Sequence, residues 1–585
     1  MKKGQEYTGT VEKIRFPNKG TVSVHGEDGG TCMVKNVIPG QEVRFRVTRK
    51  RNGVCEGTLL EVVKRASNEC DSPCQHFDVC GGCSYQTLPY KEQLRLKEQQ
   101  VHELLEPVIR NCMVYGIKED DESNEECDRE VDISILFEKI VPSPVQFEYR
   151  NKMEFSFGDA SYGGDLELGL HKRGSFYDIV SVKNCRIVDG DYRTILTETL
   201  AYFRGKETTY YHKRTHEGFL RYLVVRKAAK TGEILIDLVT TSQTPVDTIC
   251  TEVSLLDDWK ETMLSLKLSG KIVGVLHTID DRVADIVADD HTDILYGQDH
   301  FNEEVLGLTF KITPFSFFQT NTLSAEVLYS KVREYADLAG GSADTHGKCK
   351  VIYDLYSGTG TIGQLMSTKA DTVIGIEIVE EAVKAANENA TSNGLHNCKF
   401  IPGDVLKMLD TVEEKPDLII LDPPRDGINP KALARIVDYG VDSIIYVSCK
   451  PTSLARDLEY MMKRGYEPVR ICPIDQFPGS VHVETVVLLS KGDINSRKVR
   501  VEFSLEDMDT SGFQQGATYD AIRDWVMEKY GFRVSNLSIA QVKQKHAIIE
   551  RENYNKPKSP ESKQPGTSEM RIKAIENALR YFQMI

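Results

Sequence analysis

Nowhere in the 585 residues do about eighteen apolar side chains follow one another, the length a helix needs to cross a bilayer, so no membrane-spanning helix is expected. The opening residues, MKKGQEYTGTVEKI, lack the apolar core of a secretory leader, and a cytoplasmic protein is the expectation. Fourteen cysteines over this length are too sparse for a disulfide scaffold. Clustered cysteines in a reducing compartment point instead to metal binding or catalysis. An excess of positive charge is missing too, since 73 Lys plus Arg face 88 Asp plus Glu for a net of −15. That balance argues weakly against nucleic acid as a partner, but the placement of charge matters more than its sum. One hydrophobic core cannot serve a chain this long, so three or four domains are expected.

What is present begins with alternation. Five short apolar–polar runs (7–14, 20–24, 31–37, 42–47 and 57–63), separated by Gly, Asn and Pro, predict five strands and a small closed β-barrel. Residues 1–64 hold 12 Lys plus Arg against 7 Asp plus Glu, most densely in TRKRNG (48–53), the charge expected of a phosphate-binding module. The stretch resembles the TRAM domain, a small RNA-binding barrel. Next, Cys74, Cys80 and Cys83 follow C-x5-C-x2-C with two glycines inside the last pair, and VKNCRIVDG offers Cys185 as a fourth ligand. Zinc accepts four thiolates but usually through paired C-x2-C knuckles, while irregular spacing suits an iron–sulfur cluster; the spacing leaves both open. Cys70 is a spare candidate for either.

Residues 88–110 read as a helix with Leu94, Leu96, Val101, Leu104, Leu105 and Val108 as its apolar positions. An acidic stretch, 116–132, carries nine acids against two bases and reads as a solvated insertion, with Cys112 and Cys127 beside or within it and assigned no role. From about 147 the pattern turns to strands and basic turns. Tyr149, Arg150, Lys152, His171, Lys172 and Arg173 are side chains of the kind that hold single-stranded RNA.

The region from about 301 to 490 carries the chemistry. VIYDLYSGTGTIG is strand, tight turn and helix, with Gly358, Gly360 and Gly363 in G-x-G-x-x-G spacing. The following strand ends at Glu377, placed to take both hydroxyls of a ribose. IPGDV offers Asp404 at a third strand end, near an adenine, and DLIILDPPRDGI ends a fourth strand at Asp422. Alternating strands and helices imply a doubly wound parallel sheet that binds ligands at strand carboxyl ends. NAD and S-adenosylmethionine both suit the glycine loop, but acid-Pro-Pro at Asp422 is a feature of many methyltransferases. IIYVSCK (444–450) then places Cys449 at the end of a buried strand, where a thiol can attack a substrate. In IDQFPGSVHVETVVLL, Glu484 heads an apolar strand, and His482, two positions earlier, is expected on the same face.

DPPRDGI, IIYVSCK and FPGSVHVE, in this order, resemble the signature blocks of the RNA 5-methyluridine methyltransferases. The four cysteines and the barrel make the chain most similar to the branch that acts on 23S ribosomal RNA, over about residues 5 to 490. The resemblance implies Cys449 as nucleophile and Glu484 as base, and S-adenosylmethionine held by Gln319, Tyr356, Glu377 and Asp422 together with the glycine loop. It also implies a [4Fe-4S] cluster on Cys74, Cys80, Cys83 and Cys185. Lys450 stands where Asn is common, Gly479 replaces a larger residue, and the acidic insertion is additional.

The expected architecture is therefore multidomain α/β. It has a TRAM-like barrel (1–65), a mostly β domain with the cluster and RNA contacts (66–300), a Rossmann-like methyltransferase domain (301–490), and a small α-rich extension (491–585). The helix at 88–110 is expected against the methyltransferase domain. In the extension, VRVEFSLEDMD suggests a strand, and Thr518 caps a helix with Tyr519, Ile522, Val526 and Tyr530 on one face. NLSIAQVKQKHAII suggests a second helix, NYNKPKSPESKQPGTSE a linker, and Ile572, Ile575, Leu579 and Phe582 the stripe of a last helix. A monomer modifying ribosomal RNA is the leading expectation. A transfer RNA substrate is the alternative within enzymes, and a non-catalytic RNA-binding or ribosome assembly factor the alternative outside them.

Overall fold

Runs such as LIIL and IIYV have no polar partner face because they are buried on both sides of one sheet. The computed structural model describes residues 1–115, 133–243, 252–283, 291–339, 348–491, 519–546 and 569–581, apart from 26–28, 52, 410, 413, 531 and 533. In it, Cys398–Pro402, Ala370–Glu377, Cys349–Leu355, Leu418–Leu421, Ser443–Ser448, Glu484–Lys491 and Tyr466–Ile474 form a seven-stranded sheet in that spatial order. The first five are parallel, and Glu484–Lys491 enters antiparallel between its neighbours. Alternate residues serve opposite faces, as the period of a strand requires. Ile419, Leu421, Ile444 and Tyr446 pack with Val101, Leu105 and Ile109 of the helix Tyr90–Tyr115 and with Leu454 and Leu458 of Pro451–Met462. Leu418, Ile420, Ile445 and Val447 pack with Ala325, Leu328 and Val332 of Thr322–Ala339 on the other side.

Before this sheet lie three others, the last a two-stranded pair of Phe301–Val305 and Leu308–Ile312. Glu6–Arg15, Lys19–Val24, Gly30–Lys35, Glu42–Arg51 and Val54–Lys64 close into the expected five-stranded barrel. Its positive excess is partly spent internally, because Arg44 and Arg46 pair with Glu6 and Arg44 also with Glu61. A second seven-stranded sheet, from Lys152–Asp159 to His291–Gly297, packs Phe155, Leu223 and Ile236 against Leu196 and Trp259 of two helices, Gly190–Gly205 and Glu252–Leu264.

By compactness the chain divides into Met1–Arg497 and Lys498–Ile585. In the second unit Tyr519–Tyr530, Asn536–Lys545 and Glu569–Tyr581 share a small core that includes Ile522, Val526, Ile539 and Ile575. Tyr530, expected on that face, is instead exposed and accepts a hydrogen bond from Asn577 Nδ2. The acidic stretch with Cys127, the strand expected near 499–509, Thr518, most of the linker and Phe582 lie outside the described residues. Among the described residues, no helix is long and apolar enough to cross a membrane.

One polar contact fastens the long helix to the sheet. Lys97 Nζ lies 2.6 Å from Asp475 Oδ1 and also donates to the Phe477 carbonyl, with both side chains fully buried. Removing one member leaves the other charge dry and unpaired, a change that costs ~3–5 kcal/mol, whereas replacing both by apolar groups of similar volume is often close to neutral. Urea unfolding of the full chain should therefore show Lys97→Met as strongly destabilising, and Lys97→Met/Asp475→Leu as recovering most of the loss. A double variant as unstable as the sum of the singles would show that the pair contributes no mutual compensation.

Candidate active site

Register explains why two residues 35 positions apart meet. Ser448, the last residue of its strand, lies opposite Thr485 of the antiparallel strand, so Cys449 leaves the sheet at the edge where Glu484 enters it. Glu484 is buried. Burial first, and the nearby Asp422 second, push its carboxyl up to about 8 against the pull of Arg425. Burial, then Glu484 and Asp422, push the half-buried Cys449 thiol up to about 12, with Arg425 again opposing. Asp422 itself is raised to about 7 by burial at the end of Leu418–Leu421. The cleft thus gathers a thiol and carboxyl groups whose charged forms a cationic ligand would favour.

The glycine loop lies at the centre of the same edge. Gly360 adopts φ 73°, and a Cβ there would meet Phe400 at 2.6 Å, so the helix Thr361–Leu365 can start against the sheet only with glycine. Tyr356 also has positive φ, 65°, uncommon for a residue with a side chain and placed where the strand Cys349–Leu355 gives way to the loop. Glu377 Oε2 accepts from the Gly358 amide at 3.0 Å, and Oε1 from the amides of Ile378 and Val379. Its carboxylate is fixed by backbone donors and remains half-buried at the cleft. Asp404 caps the short helix Val405–Met408 through the Leu406 amide, which occupies one of its oxygens. Gln319 is buried, and its segment is anchored by Asn151 Nδ2 on its carbonyl and by Arg226 on the Pro314 carbonyl.

Several functional neighbours gave only weak sequence signals. Asp354, in VIYDLY, is raised to about 7 by burial and accepts from the Gly363 amide at 2.8 Å, holding the glycine loop from beneath. Asp457 accepts from Tyr446 Oη and from the Ile428 amide, tying the DPPRDGI turn to the strand that presents Cys449. Arg425, next to the Pro-Pro pair, is the cation that opposes the raised pKa values of both Cys449 and Glu484. His482 lies just before Glu484, and Arg425 bears on both groups. The histidine is exposed in the turn before the strand, where its amide donates to Ser480 Oγ, so strand alternation does not reach it. Gly479 has φ 77°, and a Cβ would come within 3.0 Å of Gln86, which accounts for glycine in place of a larger residue. Lys450 precedes Pro451 in extended conformation and reaches toward Asp426 at 3.6 Å.

Cys74, Cys80, Cys83 and Cys185 line one small cavity with His76 and Phe77. The thiols of Cys80, Cys83 and Cys185 are pushed up, chiefly by burial and further by one another or Cys74. The Gly82 amide donates to Cys80 Sγ at 3.4 Å and Gln86 Nε2 to Cys83 Sγ at 3.1 Å. Among the described residues, no three His, Cys, Asp or Glu side chains converge on a point that would hold a single metal ion. Four sulfurs around an apolar cavity with N–H donors aimed at them fit a group larger than one ion. Cys70 stays outside, its thiol on the Thr87 carbonyl.

The expected RNA contacts at 149–152 are a correction. Tyr149 is buried with its hydroxyl on the Pro478 carbonyl, and Lys152 pairs with Glu154. Tyr149 is therefore internal, whereas Arg150 and Lys152 are half-buried and Glu154 is exposed, a difference that basic spacing alone could not show.

Residues 346–466 match a methyltransferase domain family. A protein of Clostridium tetani named as an RNA methyltransferase is 44% identical over 84% of this chain and 99% of its own length. One from Caldanaerobacter subterraneus subsp. tengcongensis, named likewise, is 45% identical over 84% of this chain and 100% of its own. The crystal structure of a Pyrococcus abyssi tRNA (uracil-54, C5)-methyltransferase with S-adenosyl-L-homocysteine superposes with a TM-score of 0.59 at 22% identity, covering 82% of this chain and all of that one, a likeness of fold. The methyltransferase sheet, the glycine loop and the near full-length match to these bacterial relatives agree with the family expected from the motifs, and the chain belongs to the RNA methyltransferase family.

Proposed function

We propose that the protein methylates C5 of a uridine in 23S ribosomal RNA, with S-adenosylmethionine as donor. The observation that carries this reading is Cys449 at a strand end beside a buried Glu484, with Asp422-Pro423-Pro424 on the adjoining strand. C5 of uracil is too weak a nucleophile to take a methyl group unaided. Addition of the Cys449 thiolate to C6 would push electron density onto C5, which would bond to the methyl carbon as that carbon's bond to the donor sulfur breaks and a neutral thioether leaves. Glu484 next takes the proton left on C5, the C5–C6 double bond reforms, and the Cys449–C6 bond breaks to return the thiolate. The donor supplies an electrophilic methyl on a cationic sulfur, held by the glycine loop, Glu377 and Tyr356. The raised Asp422 and Asp354 are suited to ionise when that positive charge is near. An unpaired loop uridine suits the site, because it costs least to extrude. The barrel, read as a TRAM domain, and the cysteine set favour ribosomal over transfer RNA. Mapping 5-methyluridine in both RNAs from a deletion strain tests this, and a mark lost from transfer RNA alone would overturn it.

Cys449→Ala should abolish both methylation and covalent trapping on 5-fluorouridine RNA while leaving donor binding intact. Glu484→Gln should accumulate the adduct, because addition proceeds and proton removal does not. The thiol is raised partly by the Glu484 charge, so adduct formation in the parent should climb with pH across 6 to 9. In Glu484→Gln the same climb should sit at lower pH. Parent-like turnover by Glu484→Gln would remove it from the role of base.

The cysteine cavity is proposed to hold a [4Fe-4S] cluster, whose role would be structural, since the uridine chemistry needs no metal. Anaerobically purified chain should contain about four irons and absorb in the visible. Serine at position 74, 80, 83 or 185 should bleach it, and serine at 70 or 112 should not. Stoichiometric zinc without iron would defeat the assignment.

A further inference from the structure

Three loops at one end of the central sheet leave large aromatic rings in water. Tyr162, in the turn after Lys152–Asp159, is 77% exposed, and Phe176 and Tyr177, in the turn after Leu166–His171, are 58% and 45% exposed. The third loop, preceding Leu220–Lys227, carries cations onto these rings. The Arg214 guanidinium lies 4.3 Å from the Tyr177 ring centre and 5.8 Å from that of Tyr162, and Lys213 Nζ lies 4.8 Å from that of Phe176. His171 stacks on Phe176 at 6.0 Å with planes 14° apart, and His212 meets Tyr162 edge-on. The tripeptide His-Lys-Arg occurs in both loops, at 171–173 and 212–214, and neither 171–177 nor 212–216 contains an acid. Asp159, the nearby buried carboxylate, is engaged by Tyr210 Oη and the Gly163 amide.

We propose that Tyr162, Phe176 and Tyr177, with Lys213 and Arg214, form a stacking platform for unpaired bases of the substrate RNA outside the methylated nucleotide. The proposal rests on the reading of the protein as an RNA methyltransferase. A purely apolar patch of this kind would suit a protein surface. Rings interleaved with cations, with the nearest acids Asp165, Asp178 and Glu217 confined to the loop ends, fit a polyanion that also offers π faces, which is single-stranded nucleic acid. The platform is also anchored. The Gly81 amide donates to the His171 carbonyl, the Arg173 amide to that of Val79, and Arg173 Nη2 to the carbonyls of Phe77 and Cys83. The rings therefore stand on a turn braced by the cysteine loop, so less ordering is left to be done when bases stack.

The test is binding of a labelled single-stranded loop RNA, and of a duplex of equal length, to the full chain across a salt series. Tyr162→Ala/Phe176→Ala/Tyr177→Ala should lower affinity for the single strand by about tenfold or more while leaving the salt dependence unchanged. Lys213→Gln/Arg214→Gln should instead flatten the log–log salt slope by about 0.7 per lost phosphate contact. Duplex affinity should change little in the aromatic variant, and kcat at saturating RNA should stay at the parent value. Tyr162→Phe/Tyr177→Phe keeps the π faces and should bind like the parent, which separates stacking from damage to the fold. Single-strand affinity within twofold of the parent in the aromatic variant would overturn the platform and leave a protein as the better occupant. An equal loss on duplex and single strand would overturn it also. A parent chain that binds no RNA would overturn the functional reading together with the platform, whereas a parent that binds and methylates beside unaffected variants removes the platform alone.

Discussion

The loop from Asp475 to Val483 is gripped by nearly every other part of the first unit, and the site depends on that grip. Lys97 holds Asp475 and the Phe477 carbonyl. Asn321 exchanges hydrogen bonds with Gln476 through side chain and backbone on both sides. Tyr149 donates to the Pro478 carbonyl, Gln93 accepts from the Gly479 amide, and the amides of Ser84 and Tyr85 both donate to the Gly479 carbonyl. The segment that leads into Glu484 is thus held by the long helix, the central domain and the end of the cysteine loop. A buried ion pair is weak evidence for net stability, because desolvation offsets its attraction. Its value here is positional: with Lys97 Nζ held between Asp475 Oδ1 and the Phe477 carbonyl, Asp475 has one place to be, and the strand that follows enters the sheet in one register.

That register sets the electrostatics. Class I methyltransferase chemistry needs strand ends that converge, and in this sheet they bring Asp354, Asp422 and Glu484 to one edge, each raised by burial. Carboxyl groups near neutrality destabilise the protein little while it is empty, since a protonated acid needs less compensation than a dry charge. Their ionised forms become favourable when positive charge arrives. The same surroundings, burial first and then Glu484 and Asp422, hold the Cys449 thiol high, and on the proposed reading its reactivity would depend on the arrangement of charge in the loaded cleft.

Much of this was legible beforehand because the relevant signals are local. Period-two alternation predicts the barrel, continuous apolar runs predict the buried parallel strands, and Gly358, Gly360 and Gly363 mark the strand–turn–helix unit. Signals that depend on tertiary context did not carry. Lys97 reads as one polar position of an amphipathic helix, and nothing in its neighbours announces a buried partner 378 residues away. Tyr149 looks like part of a basic surface and turns out to be buried. His482 shares parity with Glu484 but precedes the point where the strand begins. Asp354 looks like one more strand residue, although the geometry of the glycine loop depends on it. The aromatic residues at 162, 176 and 177 were unremarkable as letters, since only three loops meeting in space turn scattered Tyr and Phe into a surface.

The distribution of positive charge follows from the same geometry. The barrel's excess of cations is partly consumed in exposed pairs with Glu6 and Glu61, each worth little to stability but enough to lower the potential those cations present to a phosphate. In the central loops Lys213 and Arg214 lie over the rings of Phe176 and Tyr177, so cation and π face are offered together. An acidic protein can hold a polyanion if cations are grouped locally, and the loops around Phe176 group Lys172, Lys213 and Arg214 on a turn braced by the cysteine loop. From Gly81 and Arg173 to the cysteine loop, and from Ser84 and Tyr85 to Gly479, hydrogen bonds join the loops around Phe176 to the turn that leads into Glu484. On the proposed reading, a group held in the cysteine cavity would act by fixing the distance between the aromatic platform and the cleft of Cys449 and Glu484.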